Sequence, residues 1–278
     1  MMDKERLKID FLGKTFENPY ILAATPSTDE LDMLVDAFRA GWAGAILKTT
    51  AVDSQEVTLK YPMMHFIKDS AGRLMTLGNI DLISEYPLSR IEKVVKKLKD
   101  KFPEKIIIPS IMGQDKKEWQ LLTKTLVKAG ADMIECSFSC PQGNIGEDPG
   151  KTLAQSAKAT EIATSWVKEA AKNVPVLIKL TPQVTDIAEI AAAVKRGGGD
   201  GVVVSNSVLG ILGIDIETGR PIPTVNGYGG VCGITGKSVK PITLKNIAQV
   251  AQAVKIPILG VGGLSTYVDA IEMMMAGA

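Results

Sequence analysis

Reactive side chains recur where apolar runs of the sequence end. Lys48 and Thr49 close the run AILKTT, and Lys179 closes VLIKLT. A lysine inside an apolar strand is costly unless it is paired or faces a polar ligand. We therefore predict that Lys48 and Lys179 contact a ligand, and burial against a carboxylate partner is the alternative.

The thiol of Cys140 is the strongest candidate for catalysis. It follows a predicted strand in the segment ECSFSCPQGN, at the mouth of a glycine-rich loop. A thiol in that position can donate or accept a proton when its surroundings tune its pKa. The alternative is a small buried apolar residue, which we expect for Cys136 inside the strand. The role of Cys232 is left open.

Two glycine-rich segments could approach a phosphate or a flat cofactor. The sequence GVGG at residues 260–263 ends the seventh predicted strand, where barrel enzymes commonly bind phosphate through backbone N–H groups. The segment GYGGVCGITGKS is similar to a P-loop, but Val231 stands where that motif requires glycine. We reject a nucleotide-binding P-loop on that ground.

Short β-branched runs alternate with amphipathic helical patterns, which is typical of βα units around a parallel sheet. Seven strands are predicted, at residues 20–24, 45–49, 106–112, 133–138, 176–180, 201–205 and 256–260. A β-hairpin turning at Gly13 and Lys14 precedes them. The fold class is therefore α/β, a TIM (β/α)8 barrel with an N-terminal β-hairpin.

We expect residues 1–278 to form a single barrel domain that is incomplete at its C-terminus, because the eighth βα unit is missing from this chain. Two long loops follow predicted strands, at residues 140–151 and 207–240. Loops on that side of the strands build the active site in this fold.

Composition narrows the classes of partner. The 32 Lys and Arg residues nearly balance the 31 Asp and Glu residues. The net charge therefore gives no electrostatic attraction to nucleic acid or to an anionic membrane. The N-terminus has no apolar signal core, and we expect a cytoplasmic protein. Three cysteines and one histidine offer no material for a zinc site or a disulfide framework, so no metal is expected.

Several motifs in the correct order resemble one family. The segments ADMIECSFSCPQ, IPSIMG, GNIDLIS, KLTPQVTDI, GGGDGVVVSNSV and NGYGGVCG are similar to those of the FMN-containing catalytic subunit of bacterial NAD-dependent dihydropyrimidine dehydrogenases, in the dihydroorotate dehydrogenase superfamily. The resemblance runs from about residue 7 to residue 278. It implies a flavin-dependent oxidoreductase that interconverts 5,6-dihydropyrimidines and uracil or thymine.

The same resemblance implies a role for each matching residue. Cys140 and Lys179 are catalytic: the thiol moves a proton at the carbon next to the one that exchanges a hydride with FMN, and the lysine stabilises the reduced flavin. The FMN site consists of Ala23, Ala24, Lys48, Thr49, Lys179, Gly233, Val261, Gly262 and Gly263. The pyrimidine site consists of Asn79, Ser137, Ser139, Asn206 and Ser207.

The resemblance also implies partners. Electrons from NADH reach FMN through a separate flavin and iron–sulfur subunit or region, and the chain forms a homo-oligomer. Ser137 departs from the asparagine usual in the family. Because the eighth unit is missing, we predict that the chain binds FMN weakly or not at all. A dihydroorotate dehydrogenase, and a non-redox barrel that binds a phosphorylated metabolite, remain alternatives.

Overall fold

The computed structural model describes residues 4–52, 63–81, 83–138 and 153–278. Its centre is a sheet of seven parallel strands in which chain neighbours are also spatial neighbours. The strands are β3 (Ile21–Leu22), β4 (Gly44–Thr50), β7 (Ile106–Ile111), β8 (Ile134–Ser137), β9 (Val176–Lys179), β10 (Gly201–Val204) and β17 (Ile258–Gly260). The predicted α/β fold of TIM type is confirmed.

Helices follow these strands and cover the outside of the sheet. In α2, residues Leu88, Ile91, Val95 and Leu98 are buried at the spacing of three and four that one helix face requires. No helix in the described ranges is long and apolar enough to cross a membrane. The helices are α1 (Leu31–Arg39), α2 (Leu88–Lys101), α3 (Lys116–Lys128), α4 (Ala157–Ala171), α5 (Ile187–Arg196), α6 (Lys240–Ala253) and α7 (Tyr267–Ala276).

Strand side chains alternate between two cores, as the pleat dictates. Ile134 and Cys136 belong to the large cluster between sheet and helices. Met133 and Leu177 belong to a smaller cluster inside the barrel. Odd-numbered positions of β8 and β9 therefore face the interior of the barrel, and these positions include Glu135 and Lys179.

The predicted N-terminal hairpin is present. β1 (Ile9–Phe11) pairs antiparallel with β2 (Lys14–Phe16) across a turn in which Gly13 has a φ of 76°. Phe16 packs into the inner cluster with Met133 and Leu177. The hairpin therefore closes the amino-terminal end of the barrel.

A second, four-stranded sheet lies over the other end of the barrel. It consists of β5 (Met64–Lys68), β6 (Leu74–Asn79), β11 (Val208–Gly210) and β16 (Cys232–Thr235). The chain between β11 and β16 forms two hairpins, β12 (Gly213–Ile214) with β13 (Pro221–Ile222), and β14 (Thr224–Val225) with β15 (Tyr228–Gly229). The prediction that residues 207–240 form a loop was wrong, because their strands are too short and too exposed to give an apolar run.

The two edge strands of the main sheet, β3 and β17, border an apolar cavity of about 640 Å³. Its walls include Ile21, Trp42, Leu259 and Met273. An eighth βα unit would lie between these two edge strands. That such a unit is missing from this chain stays a prediction.

Asp132 ties three elements together beneath the barrel. Its carboxylate accepts hydrogen bonds from Nζ of Lys14 in the hairpin at 3.2 Å, Nζ of Lys99 in α2 at 2.8 Å and the backbone N–H of Ile107 in β7 at 3.0 Å. The side chain is only 10% exposed, and its loss removes an acceptor that the hairpin, α2 and β7 share. Nζ of Lys99 would keep the carbonyl oxygens of Pro103 and Lys105 as acceptors.

We expect Asp132→Ala to lower the free energy of unfolding by about 2 to 3 kcal/mol. The control is Asp36→Ala, which removes an exposed pair with Arg39 and should change stability by less than about 0.5 kcal/mol. Urea unfolding followed by circular dichroism measures both. Equal, small losses in the two variants would contradict a bridging role for Asp132.

Candidate functional site

A cavity of about 400 Å³ lies between the carboxyl ends of the main strands and the four-stranded sheet. A cavity of this size holds a small ligand. Most residues predicted for the site line it: Ala23, Ala24, Lys48, Thr49, Asn79, Ser137, Lys179, Asn206, Ser207, Gly233, Val261 and Gly262. The fold thus brings together positions that span most of the sequence.

Three predicted residues are not among these lining residues. Ser139 and Cys140, together with the predicted loop 140–151, lie outside the described residues, so their placement stays a prediction. Gly263 lines the apolar cavity beside β17. Ser137 ends β8 at the cavity wall and is nearly fully buried.

The two strand-end lysines are both buried, at 6% exposure for Lys48 and 7% for Lys179. Nζ of Lys48 donates to Oδ2 of Asp81, which is itself only 3% exposed on its side chain. Lys179 forms no hydrogen bond or ion pair with any described residue. Lys48 therefore has the carboxylate partner that we named as an alternative, and Lys179 keeps a charge that a ligand can use.

A second carboxyl group, Asp29, is close enough to Lys48 to be influenced by its charge. It accepts a hydrogen bond from Oγ of Ser84 at 2.8 Å, and the backbone N–H of Ser84 donates to the carbonyl of Thr49 at 2.7 Å. Burial raises the pKa of Asp29 to about 6, and the Ser84 hydrogen bond and the charge of Lys48 oppose that rise. Asp29 is therefore a carboxyl near Lys48 whose pKa lies in the mildly acidic range.

Amide and hydroxyl groups form the opposite wall of the cavity. The carbonyl oxygen of the Asn79 side chain accepts the backbone N–H of Asp81 at 2.8 Å, which fixes the amide at the end of β6. Oδ1 of Asn206 accepts the backbone N–H of Ser207 at 2.9 Å. A Cβ added at Gly233 would approach Oγ of Ser207 to 2.5 Å, so a larger residue there would displace the Ser207 hydroxyl.

The glycines after β17 form a tight turn beside the start of α6. Gly262 and Gly263 have φ values of 120° and 85°, which side chains rarely adopt. A Cβ on Gly262 would lie 2.7 Å from Oγ1 of Thr243, and one on Gly263 would lie 2.7 Å from the backbone of Lys240. Bare backbone next to a helix N-terminus is a favourable setting for an anion such as a phosphate group.

The charge of Lys240 is already used within the protein. Its Nζ donates to Oδ1 of Asp269 and to Oε2 of Glu272, each at 2.7 Å. Both contacts raise the pKa of the lysine. Backbone N–H groups, and not this ammonium, are therefore the available donors at the turn.

Sequence reasoning missed three acidic residues around the site, Asp29, Asp81 and Glu135. Asp81 was inside a quoted motif, GNIDLIS, and Glu135 inside another, but neither received a role. A glutamate within the apolar strand MIECSF is the same kind of signal as the strand lysines, and it could have been found in the same way.

Comparison with known proteins agrees with this architecture. The family model described as dihydroorotate dehydrogenase matches residues 6–278. The NAD-dependent dihydropyrimidine dehydrogenase subunit PreA of Escherichia coli K12 is 36% identical over 282 residues, which cover 100% of this chain and 67% of that protein. The chain belongs to the dihydroorotate dehydrogenase family.

Two further relatives represent different branches. The chloroplastic dihydropyrimidine dehydrogenase (NADP(+)) of Arabidopsis thaliana is 31% identical, over 98% of this chain and 66% of that enzyme. The catalytic subunit of dihydroorotate dehydrogenase B (NAD(+)) of Methanosarcina acetivorans is 36% identical, over 96% of this chain and 80% of that subunit. The chain thus spans about two thirds of the length of the dihydropyrimidine dehydrogenase relatives and 80% of the length of the dihydroorotate dehydrogenase subunit.

Among solved structures, the deoxyribose phosphate aldolase of Aeropyrum pernix superimposes with a TM-score of 0.53 at 16% identity, over 93% of this chain and 81% of that chain. At that identity the likeness concerns the fold alone.

The raised pKa of Asp29 predicts how stability depends on pH. The carboxyl titrates at 3.8 when unfolded and at about 6 when folded, so between these values the folded state binds more protons. Its contribution to the free energy of unfolding therefore falls as pH rises from about 4 to 6. Asp29→Asn should remove this dependence.

The measurement is urea unfolding at several pH values in that range, with Asp36→Asn at an exposed position as the control. The wild type and the control should share a slope that Asp29→Asn lacks. Parallel pH curves for all three proteins would show that Asp29 has no raised pKa.

Proposed function

We propose that the chain is an FMN-dependent oxidoreductase that interconverts 5,6-dihydropyrimidines and uracil or thymine. The observation that carries this proposal is a cavity lined by the amides of Asn79 and Asn206 and by the buried Lys179, which has no partner among the described residues. An uncompensated cation suits an anionic reduced flavin, and amides suit a neutral ring with carbonyl and N–H groups. Membership of the dihydroorotate dehydrogenase family supports the same reaction class.

The residues present fit FMN. Gly233 and Gly262 line the cavity with bare backbone, and the turn at Gly262 and Gly263 offers backbone donors for a phosphate. Lys48, Thr49 and Lys179 would lie beside the ring system, with Ala23, Ala24 and Val261 along its face. When bound, FMN supplies the hydride chemistry that no side chain provides.

The protein's own share is binding, orientation and proton transfer. Asn79, Ser137, Asn206 and Ser207 orient the pyrimidine ring through its carbonyl and N–H groups, as Ser139 does by the resemblance. Cys140 gives or takes the proton at the ring carbon next to the one that exchanges a hydride. The four-stranded sheet excludes water from that step.

A partner subunit completes the electron path in this proposal. Relatives of this chain are described as a subunit of an NAD-dependent dehydrogenase and as a catalytic subunit. We propose that a flavin and iron–sulfur subunit or region carries electrons between NADH and FMN. The chain itself is proposed to be a cytoplasmic homo-oligomer.

One observation favours dihydroorotate as a second candidate substrate. That substrate carries a carboxylate, and Lys179 is a cation in the cavity without a described carboxylate partner. If FMN does not use this charge, a substrate carboxylate can.

The substrate test is anaerobic reduction at saturating FMN, since we predict weak binding. Dihydrouracil, dihydrothymine and dihydroorotate are added separately, and flavin absorbance is followed. We expect bleaching by dihydrouracil or dihydrothymine and not by dihydroorotate. Bleaching by dihydroorotate alone would establish the second candidate, and no bleaching by any of the three would overturn the proposed function.

Cys140→Ala tests the acid–base role. Loss of a general acid or base lowers turnover by about 10² to 10⁴-fold, and FMN affinity should not change. Cys136→Ala is the matched control, because that thiol is fully buried and its pKa is raised by burial and by Glu135. Steady-state kinetics with a chemical electron acceptor measures both variants. Unchanged turnover in Cys140→Ala would contradict the assignment.

A further inference from the structure

Glu135 is a carboxylate inside the barrel for which the proposed reaction has no use. It lies in β8 opposite Ser110 of β7 and Leu177 of β9. Because Met133 and Leu177 belong to the inner core, the pleat directs Glu135 into the barrel as well. The side chain is 0% exposed.

Both carboxylate oxygens of Glu135 lack a hydrogen-bond partner among the described residues. Burying a carboxyl group without partners costs several kcal/mol, and native proteins rarely keep such groups without a reason. The hydroxyl of Ser110, which is the nearest polar neighbour by register, is within 3.0 Å of Oγ1 of Thr49. Packing and local hydrogen bonds do not account for this glutamate.

The nearest unpaired charge on the same face is Lys179. It lies two residues beyond Leu177, the register partner of Glu135, and so faces the interior one layer closer to the cavity. Strand spacing and rise place the two Cα atoms about 8 Å apart, a distance that a glutamate and a lysine side chain span together. Lys179 is also buried and also without a described partner.

Glu135 and Lys179 are thus two buried, opposite charges on adjacent strands, and neither has a partner in the part of the chain that the structure describes. Lys48 cannot serve as the partner of Glu135, because Asp81 already pairs with it. A metal ion is disfavoured, since one carboxylate beneath two lysines offers too few ligands. Among the described residues that line the cavity, the other titratable group is Cys232, whose pKa is raised by burial.

We propose that Glu135 is the positioning residue of Lys179: the carboxylate beneath the cavity draws the ammonium to a fixed place in the cavity wall. This inference deepens the proposed function, because it assigns the charge that Lys179 presents to the flavin or substrate.

The direct test needs no bound cofactor. Lysines labelled with ¹³C at Cε are followed by NMR during a pH titration of the cofactor-free chain, with Lys179→Met to assign the resonance. Glu135→Gln should lower the midpoint of the Lys179 resonance by at least about one pH unit, a tenfold change in proton affinity. Asp81→Asn is the matched control, and it should move the Lys48 resonance and not that of Lys179.

A double-mutant cycle covers the case in which Glu135→Gln does not fold. Glu135→Met and Lys179→Met are compared with the double variant by urea unfolding. Removing either charge alone leaves the other buried without a partner. The double variant should therefore lose less free energy of unfolding than the sum of the two single losses. Additive effects, or an unchanged Lys179 midpoint in Glu135→Gln, would overturn the pairing.

Activity provides a separate readout. Glu135→Gln should lower kcat more than it changes KM, and the basic limb of the pH profile should move to lower pH. If the Lys179 midpoint shifts as expected but no dihydropyrimidine bleaches the flavin, the pairing stands and the proposed substrate fails. If bleaching occurs and the midpoint does not shift, the proposed function stands and the pairing fails.

Discussion

The ion pair between Lys48 and Asp81 joins the barrel to the sheet that covers it. Lys48 lies in β4, Asp81 follows the end of β6, and both side chains are almost fully buried. Breaking a buried pair leaves an uncompensated charge and costs about 3 to 5 kcal/mol. The pair therefore fixes β6, and through it β16, above the carboxyl ends of the strands. This ion pair therefore helps to hold the two sides of the cavity in place.

The two lysines of the site differ because of this pair. Asp81 neutralises Lys48, whereas Lys179 keeps a charge that no described side chain compensates. Glu135 lies one layer deeper in the barrel and has no hydrogen-bond partner among the described residues. Burying these charged groups in an apolar interior lowers the stability of the fold. Such destabilising charges are common in sites where the charges interact with a ligand.

The sequence predicted the main sheet well, because strands covered on both faces give continuous apolar runs such as Ile106–Ile111. It did not predict the covering sheet, since β5 (Met64–Lys68) is exposed throughout and its order depends on pairing with β6. Site residues at strand ends were predicted because the fold itself places them together. Asp81 was not, because its partner Lys48 lies 33 residues away and no local pattern joins them.

The position of the flavin tests the central claim most directly. A crystal structure of the chain at saturating FMN should place the ring system in the cavity beside Lys48 and Lys179, with the phosphate at the turn of Gly262 and Gly263. Density for the ring in the apolar cavity between β3 and β17, away from both lysines, would contradict the account.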